Sequence, residues 1–161
     1  MRTWNRRARA TVAVLAATLA LVAVMGPVAA ASPQRVTIVS NVTFNPDGPN
    51  YGDFTASGPA ADLGLICKNG TFVDTGISFA GYQSNRGTVQ LQVLKEFTCQ
   101  GSGTFRVKLQ IQADFNSGIE SFTWVVQDGT GVYVTLRGSG NGFTVPMSSG
   151  NTNTYDGFLI H

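Results

Sequence analysis

The sequence predicts an all-β fold: a single closed antiparallel β-barrel of about eight strands behind a cleaved helical signal peptide, with a β-sandwich as the competing architecture. Three observations predict it. Apolar and polar residues alternate with period two through most of the chain after residue 31. Clusters of glycine, asparagine, serine and proline interrupt that alternation at short intervals, and no stretch in the same region keeps a helical period over a helix-length window. Closure is favoured over a sandwich because the longest strands are apolar on one face only and no helix is available to cover a second apolar face.

Residues 1–31 read as a secretory signal. Arg2, Arg6, Arg7 and Arg9 form a basic start, residues 10–25 an apolar stretch broken only by threonines, and Ala29, Ala30 and Ala31 a small-residue site, which places cleavage near Ala31 and Ser32. Gly26-Pro27 stops the run short of the ~20 apolar residues that cross a bilayer. The domain that remains, 32–161, has no apolar segment of that length, so the mature form is not expected in a membrane. Four of the eleven basic residues leave with the signal and all nine acidic residues stay, which leaves seven against nine and a net charge of −2. The whole-chain pI of 8.7 therefore belongs to the discarded peptide, and nucleic acid is not an expected partner. The expected location is extracellular. There Cys67 and Cys99, the only cysteines, pair as a disulfide. Closing that loop stabilises the fold by roughly 3.5 to 4 kcal/mol when the gain is counted as loop entropy. With His161 as the only histidine, neither a metal site nor a cofactor is expected.

The elements follow in order. Strand 36–44 alternates Val36, Ile38, Val42 and Phe44 with polar residues, and Ser40 interrupts its apolar phase. Asn45-Pro46-Asp47-Gly48-Pro49-Asn50 ends it as a turn. Apolar runs at 63–66 and 71–80, separated by Lys68-Asn69-Gly70, are the next strands. Ser84-Asn85-Arg86-Gly87 leads to 89–93, and there Lys95 interrupts the set Val89, Leu91, Val93 and Phe97. After Gln100-Gly101-Ser102-Gly103 comes the clearest strand, 105–115. In it Phe105, Val107, Leu109, Ile111, Ala113 and Phe115 alternate with Arg106, Lys108, Gln110, Gln112 and Asp114. Asn116-Ser117-Gly118 introduces 120–126, with Phe122, Trp124 and Val126 on one phase. A turn at Asp128-Gly129 and runs at 132–136 and 158–160, with Ser148-Ser149-Gly150-Asn151 between them, complete the count.

The decamer Gly129-Thr130-Gly131-Val132-Tyr133-Val134-Thr135-Leu136-Arg137-Gly138 reads as a tight turn in which glycine permits positive φ, followed by a strand. No lysine-bearing helix follows, so it is not a phosphate loop. It resembles the Gly-Thr-Gly-x-aromatic, then Arg-Gly, signature of dirigent-like and allene oxide cyclase-like barrel proteins. Gly129, Thr130, Gly131, Tyr133, Arg137 and Gly138 stand at matching positions. Trp124-Val125-Val126-Gln127 and a glycine-rich strand ending near Asp156-Gly157 are also similar, while Asp128 stands where dirigent-like chains carry another glycine. The likeness is good over 105–142, and it is closer still to small secreted bacterial proteins of this barrel type. It implies an eight-stranded antiparallel barrel with a central cavity. It implies no activity, since the family's catalytic acids and pocket residues have no counterparts that can be placed here.

Candidate chemistry comes from polar residues on the inward phase, because burying one without a partner costs on the order of 1 to 3 kcal/mol. Ser40 and Lys95 are the first candidates. Lys95 either points into a lumen, reaches the barrel mouth along its aliphatic stem, or is turned outward by a bulge at Val93-Leu94. Tyr133 and Arg137 share a face if their segment is extended, with Arg137 either anchoring a carboxylate or holding the turn through carbonyls. Trp124 lines a ligand cavity or fills the core. Asn45, Asp47, Asn50 and Asp53 form a loose cluster of oxygen donors in a turn, and Asp114 and Glu120 flank one hairpin as a solvated face. The functional expectation is a secreted barrel that takes a small apolar ligand into its lumen. The alternatives are a dirigent- or cyclase-type enzyme that confines a reactive intermediate, and an extracellular interaction module acting through loops.

Overall fold

The computed structural model describes residues 32–83, 87–114 and 119–161. Among these, eight strands run antiparallel in sequence order and close, the first bonded to the last: β1 (Gln34–Thr43), β2 (Tyr51–Ser57), β3 (Asn69–Gln83), β4 (Thr88–Cys99), β5 (Gly103–Asp114), β6 (Ile119–Gly129), β7 (Arg137–Met147) and β8 (Gly150–Ile160). The ladder between β1 and β8, from Gln34 opposite Leu159 to Thr43 opposite Gly150, rules out the sandwich and leaves no free sheet edge. The signal at 1–31, including Ala31 at the expected cleavage point, lies outside the described residues, as do Ser84, Asn85, Arg86, Phe115 and Asn116-Ser117-Gly118.

Two of the eight expected strands are not strands. The run 63–66 follows a one-turn helix α1 (Pro59–Asp62) as turns, with Leu63 N–H bonded to Pro59 C=O at 2.9 Å and Leu65 N–H to Ala60 C=O at 2.9 Å. The run 132–136 is a 3-10 turn (Gly131–Tyr133) and the bend after it. Their apolar residues plug one end of the barrel: Ile66 and Leu136 are fully buried there with Ala60 and Ala61. Asn69 and Gly70 of the Lys68-Asn69-Gly70 signal already belong to β3, and Asp128-Gly129 ends β6. The strands taking the two vacated places are β2 and β7. Facing inward on β7 are Gly138, Gly140 and Gly142, opposite Trp124 and Phe122 of β6 and Leu159 and Tyr155 of β8. A methyl group at Gly142 would collide with the Phe122 ring, so a glycine wall faces an aromatic one.

The barrel is divided across its axis. At the end that carries α1, the chain termini of the domain and the β6–β7 connection, Phe97 sits at the hub of a ring cluster. Its centroid is 5.1 Å from Phe54, edge to face, 5.1 Å from stacked Phe105, 5.7 Å from Phe72 and 5.9 Å from Tyr155. The edge-to-face pairs with Phe54 and Tyr155 and the stacked pair with Phe105 are geometries that aromatic quadrupoles favour. The Cys67–Cys99 disulfide joins the loop after α1 to the end of β4 at this same end. Here the lumen is solid. Toward the opposite end, where β1 meets β2 and β7 meets β8, the inward residues change character.

Candidate ligand pocket at the open end of the barrel

Inward positions of β4 run Phe97, Lys95, Val93 and Leu91 from the closed end outward, and β3 places Phe72 and Asp74 directly across from Phe97 and Lys95. A bulge between Asp74 and Gly76 then absorbs one residue, so that Ile77 faces Val93. The irregularity lies on β3, not at Val93-Leu94, and Lys95 keeps its inward phase. Its Nζ lies 2.5 Å from Asp74 Oδ1, with the two side chains 3% and 4% exposed, and sits 4.5 Å above the Phe72 ring. Asp74 is held from its other side by Asn50, whose Nδ2 donates to Oδ2 at 3.2 Å and whose carbonyl accepts the Asp74 N–H at 2.8 Å. Burial lowers the pKa of Lys95 below the usual lysine value, an effect that the Asp74 carboxylate opposes in part.

Around this pair lies a second polar layer. Ser40 of β1 pairs in register with Asn153 of β8, which in turn faces Thr144 of β7, and all three are buried. The Tyr155 hydroxyl points at Ser40 and Asn153, yet Ser40 Oγ, Asn153 Oδ1 and the Tyr155 hydroxyl make no hydrogen bond of normal geometry, and neither does Asn151 Oδ1. Burial raises the Tyr155 pKa well above the usual phenol value, and its polar neighbours only moderate this.

Asn50, Asp74, Lys95, Thr144, Asn151 and Asn153 floor a pocket of about 160 Å³ whose walls are Val42, Val93, Leu91 and Ile111, and whose rim carries Phe44, Ile77 and Glu120; Ser40 and Tyr155 do not line it. Engineered cavities of roughly 150 Å³ hold a benzene molecule, so the space suits a ligand of that size. Larger hollows of about 390 and 470 Å³ lie on the outer wall, over Gln90, Gln92, Gln110 and Gln112 and over Arg35, Asp156 and Phe158. Neither contains a buried charge or any of the unpaired buried atoms.

Of the candidate ligand-binding residues, Ser40 and Lys95 are the two buried polar ones, Lys95 lining the pocket and Ser40 pairing with the pocket residue Asn153; Trp124, Tyr133 and Arg137 lie elsewhere. Trp124 is core: it packs on Tyr155 at 6.3 Å, with its Nε1–H donating to the Asn141 carbonyl at 3.2 Å. Tyr133 is buried in the closed end against Phe105, whereas Arg137 is exposed and donates to the carbonyls of Leu136 at 2.8 Å and Val134 at 3.4 Å. The two do not share a strand face, because the segment between them is not extended. In the turn motif Gly131 has φ +59, while Gly129 and Gly138 are sites of close approach, to the Tyr133 backbone and to Leu159 respectively. Thr130 receives the Thr104 N–H on its hydroxyl at 2.9 Å, tying the turn to β5.

The loose oxygen cluster is dispersed as well. Asn45 and Asn50 brace the β1–β2 turn, and Asp53 points outward and accepts from Asn41 Nδ2 at 2.9 Å. Glu120 corrects an expectation: it pairs with Ala113 and Thr144 on the inward phase and stands at the pocket rim instead of on a solvated face with Asp114, which pairs with Ile119.

Sequence reasoning missed Asp74, Thr144, Asn153 and Tyr155, and named Asn50 only as one of the oxygen donors of a turn. The signal for Asp74 was present, since it follows Phe72 at period two, the criterion that singled out Lys95. No protein-family profile matches the chain, and no curated protein matches it in sequence.

Proposed function

We propose that this protein is a secreted binding protein that takes one small amphipathic molecule into the open half of its barrel. The observation that carries the reading is Asn153. Asn153 lines a pocket open to solvent beside a charged pair, and its side-chain oxygen is buried without a hydrogen bond of normal geometry, although the same barrel fills its other half with rings and aliphatic side chains. An unsatisfied buried acceptor costs about 1 to 3 kcal/mol, and a hydroxyl or amine donor on a ligand offsets that cost on binding. The walls accept an apolar body, so the expectation of an apolar ligand narrows to an apolar body with a donor head. Secretion is supported by the basic-apolar-small pattern of residues 1–31 and by the Cys67–Cys99 disulfide, which forms in an oxidising compartment.

Phenol is the test probe, having the size and the single donor that the pocket calls for. Calorimetric or NMR titration should show saturable one-to-one binding with Kd below about 1 mM, near −4 kcal/mol. Asn153→Leu should weaken it by about tenfold, the loss of one hydrogen bond, while leaving thermal stability unchanged or higher. Absence of saturable binding, or binding that ignores Asn153→Leu, would sink the reading.

A further inference from the structure

Of the three lysines that follow the signal, Lys68 and Lys108 project from the surface and Lys95 alone is enclosed. Lys68 is bridged to Asp62 at 2.9 Å with both side chains about two-thirds exposed. Lys108 lies on the outward phase of β5, opposite Leu94. Lys95, by contrast, lines the 160 Å³ pocket, and its Nζ touches a carboxylate that can take and return a proton and lies over an aromatic face. Apolar walls rise directly above it. We propose that Lys95 is a covalent anchor for small aldehydes, condensing with a carbonyl carbon held in the pocket to form an iminium paired with Asp74.

The step balances without oxidant or reductant. Lys95 passes one ammonium proton to Asp74, and the freed Nζ lone pair forms a bond to the carbonyl carbon while the C=O π electrons move to oxygen. A second nitrogen proton moves to that oxygen, giving the carbinolamine. Return of the first proton from Asp74 lets the oxygen leave as water as the nitrogen lone pair forms C=N. Ammonium plus aldehyde becomes iminium plus water, and the positive charge beside Asp74 is conserved.

Three features favour Lys95 over the surface lysines. The walls hold the aldehyde against Nζ, replacing a bimolecular encounter with an oriented one. The enclosed carboxylate and the Phe72 face stabilise the iminium more than water-screened surface charges do. Burial also lowers the amine's pKa, which enlarges the nucleophilic fraction at neutral pH.

The inference rests on the pocket being a binding site, and the experiment separates the two. The purified protein is incubated with benzaldehyde and sodium cyanoborohydride, which reduces the iminium to a stable benzyl amine, and the adducts are mapped by peptide mass spectrometry. Lys95 should be alkylated at least about tenfold faster than Lys68 or Lys108, and excess phenol should suppress the Lys95 adduct alone. Asp74→Asn should slow Lys95 labelling by about tenfold or more, the proton relay being lost. Mapping on the unmutated protein decides the matter even if that variant misfolds. Labelling of Lys95 no faster than of Lys68 and Lys108 overturns the proposal. If phenol binds and Lys95 is still not favoured, covalent capture falls and the binding reading stands; if phenol also fails to bind, both fall.

Discussion

The closed and open halves of the barrel are built from the same eight strands at the same period, and they differ only in what faces inward. On β4 the change takes two residues, from Phe97 at the centre of the ring cluster to Lys95 in its ion pair. On β8 it runs from Leu159 and Tyr155 to Asn153 and Asn151. Since one half is closed mainly by apolar side chains, with no buried charge, the polar half is not something that the fold demands. Burying two charges and several unpaired oxygens costs free energy that apolar side chains would not, and that cost falls at the solvent-open end, where the proposed ligand would offset it.

Removing the hub of the closed half should produce the largest effect. Phe97→Ala deletes a ring that contacts Phe54, Phe72, Phe105 and Tyr155 and should cost about 3 to 5 kcal/mol in chemical denaturation. A loss under about 1 kcal/mol would mean that the two halves do not differ in packing as described. The open half breaks differently. Lys95→Met leaves Asp74 buried without its cation and should cost about 3 kcal/mol. The double change Lys95→Met with Asp74→Leu should recover most of this, to within about 1 to 2 kcal/mol of the parent protein. If the double variant is as unstable as the single one, the ion pair belongs to the frame of the barrel and the contrast between the halves is lost.

The same contrast explains what could be read from sequence. Where most inward positions are apolar, as in β1, β5 and β6, alternation locates the strand to within a few residues. In β7 the inward residues are Gly138, Gly140, Gly142 and Thr144, so there is no apolar phase to detect; a side chain at Gly142 would need the space of the Phe122 ring of β6, and side chains at Gly138 and Gly140 would run into Leu159 and the Asp156 carbonyl of β8. β8 was seen only at its apolar end, 158–160, because Asn151 and Asn153 face inward along the rest. Conversely, 63–66 and 132–136 look like strands because they are apolar, but their burial comes from capping the lumen, which requires no period. The pocket was half legible: Ser40 and Lys95 violate an apolar phase and so stand out. Asp74 precedes a bulge that shifts the phase of its strand, and Asn153 has only Tyr155 close to it on the inward phase of β8, with Asn151 on its other side and Gly157 beyond.

Tyr155 lies on the boundary, its ring among Phe97, Phe122 and Trp124 and its hydroxyl toward Ser40 and Asn153. Its titration therefore tests how dry the floor of the pocket is. In the unfolded chain the phenol ionises near its ordinary value of 10.0, whereas burial raises the folded value above this. Between the two the folded state holds a proton that the unfolded state has lost, so stability falls as pH rises, by at most about 1.4 kcal/mol per pH unit. Lys95 acts with the opposite sign. Burial lowers its folded value below 10.5, so its contribution rises with pH and is complete once the unfolded lysine has also lost its proton. Above about pH 11 the Tyr155 contribution remains, and comparison with Tyr155→Phe isolates it from the rest of the molecule. Denaturation curves at successive pH values should show the parent protein losing about 1 kcal/mol per pH unit more than the variant. Parallel curves would place the Tyr155 hydroxyl in contact with bulk water, and the open half would then reach deeper into the barrel than the ring cluster allows.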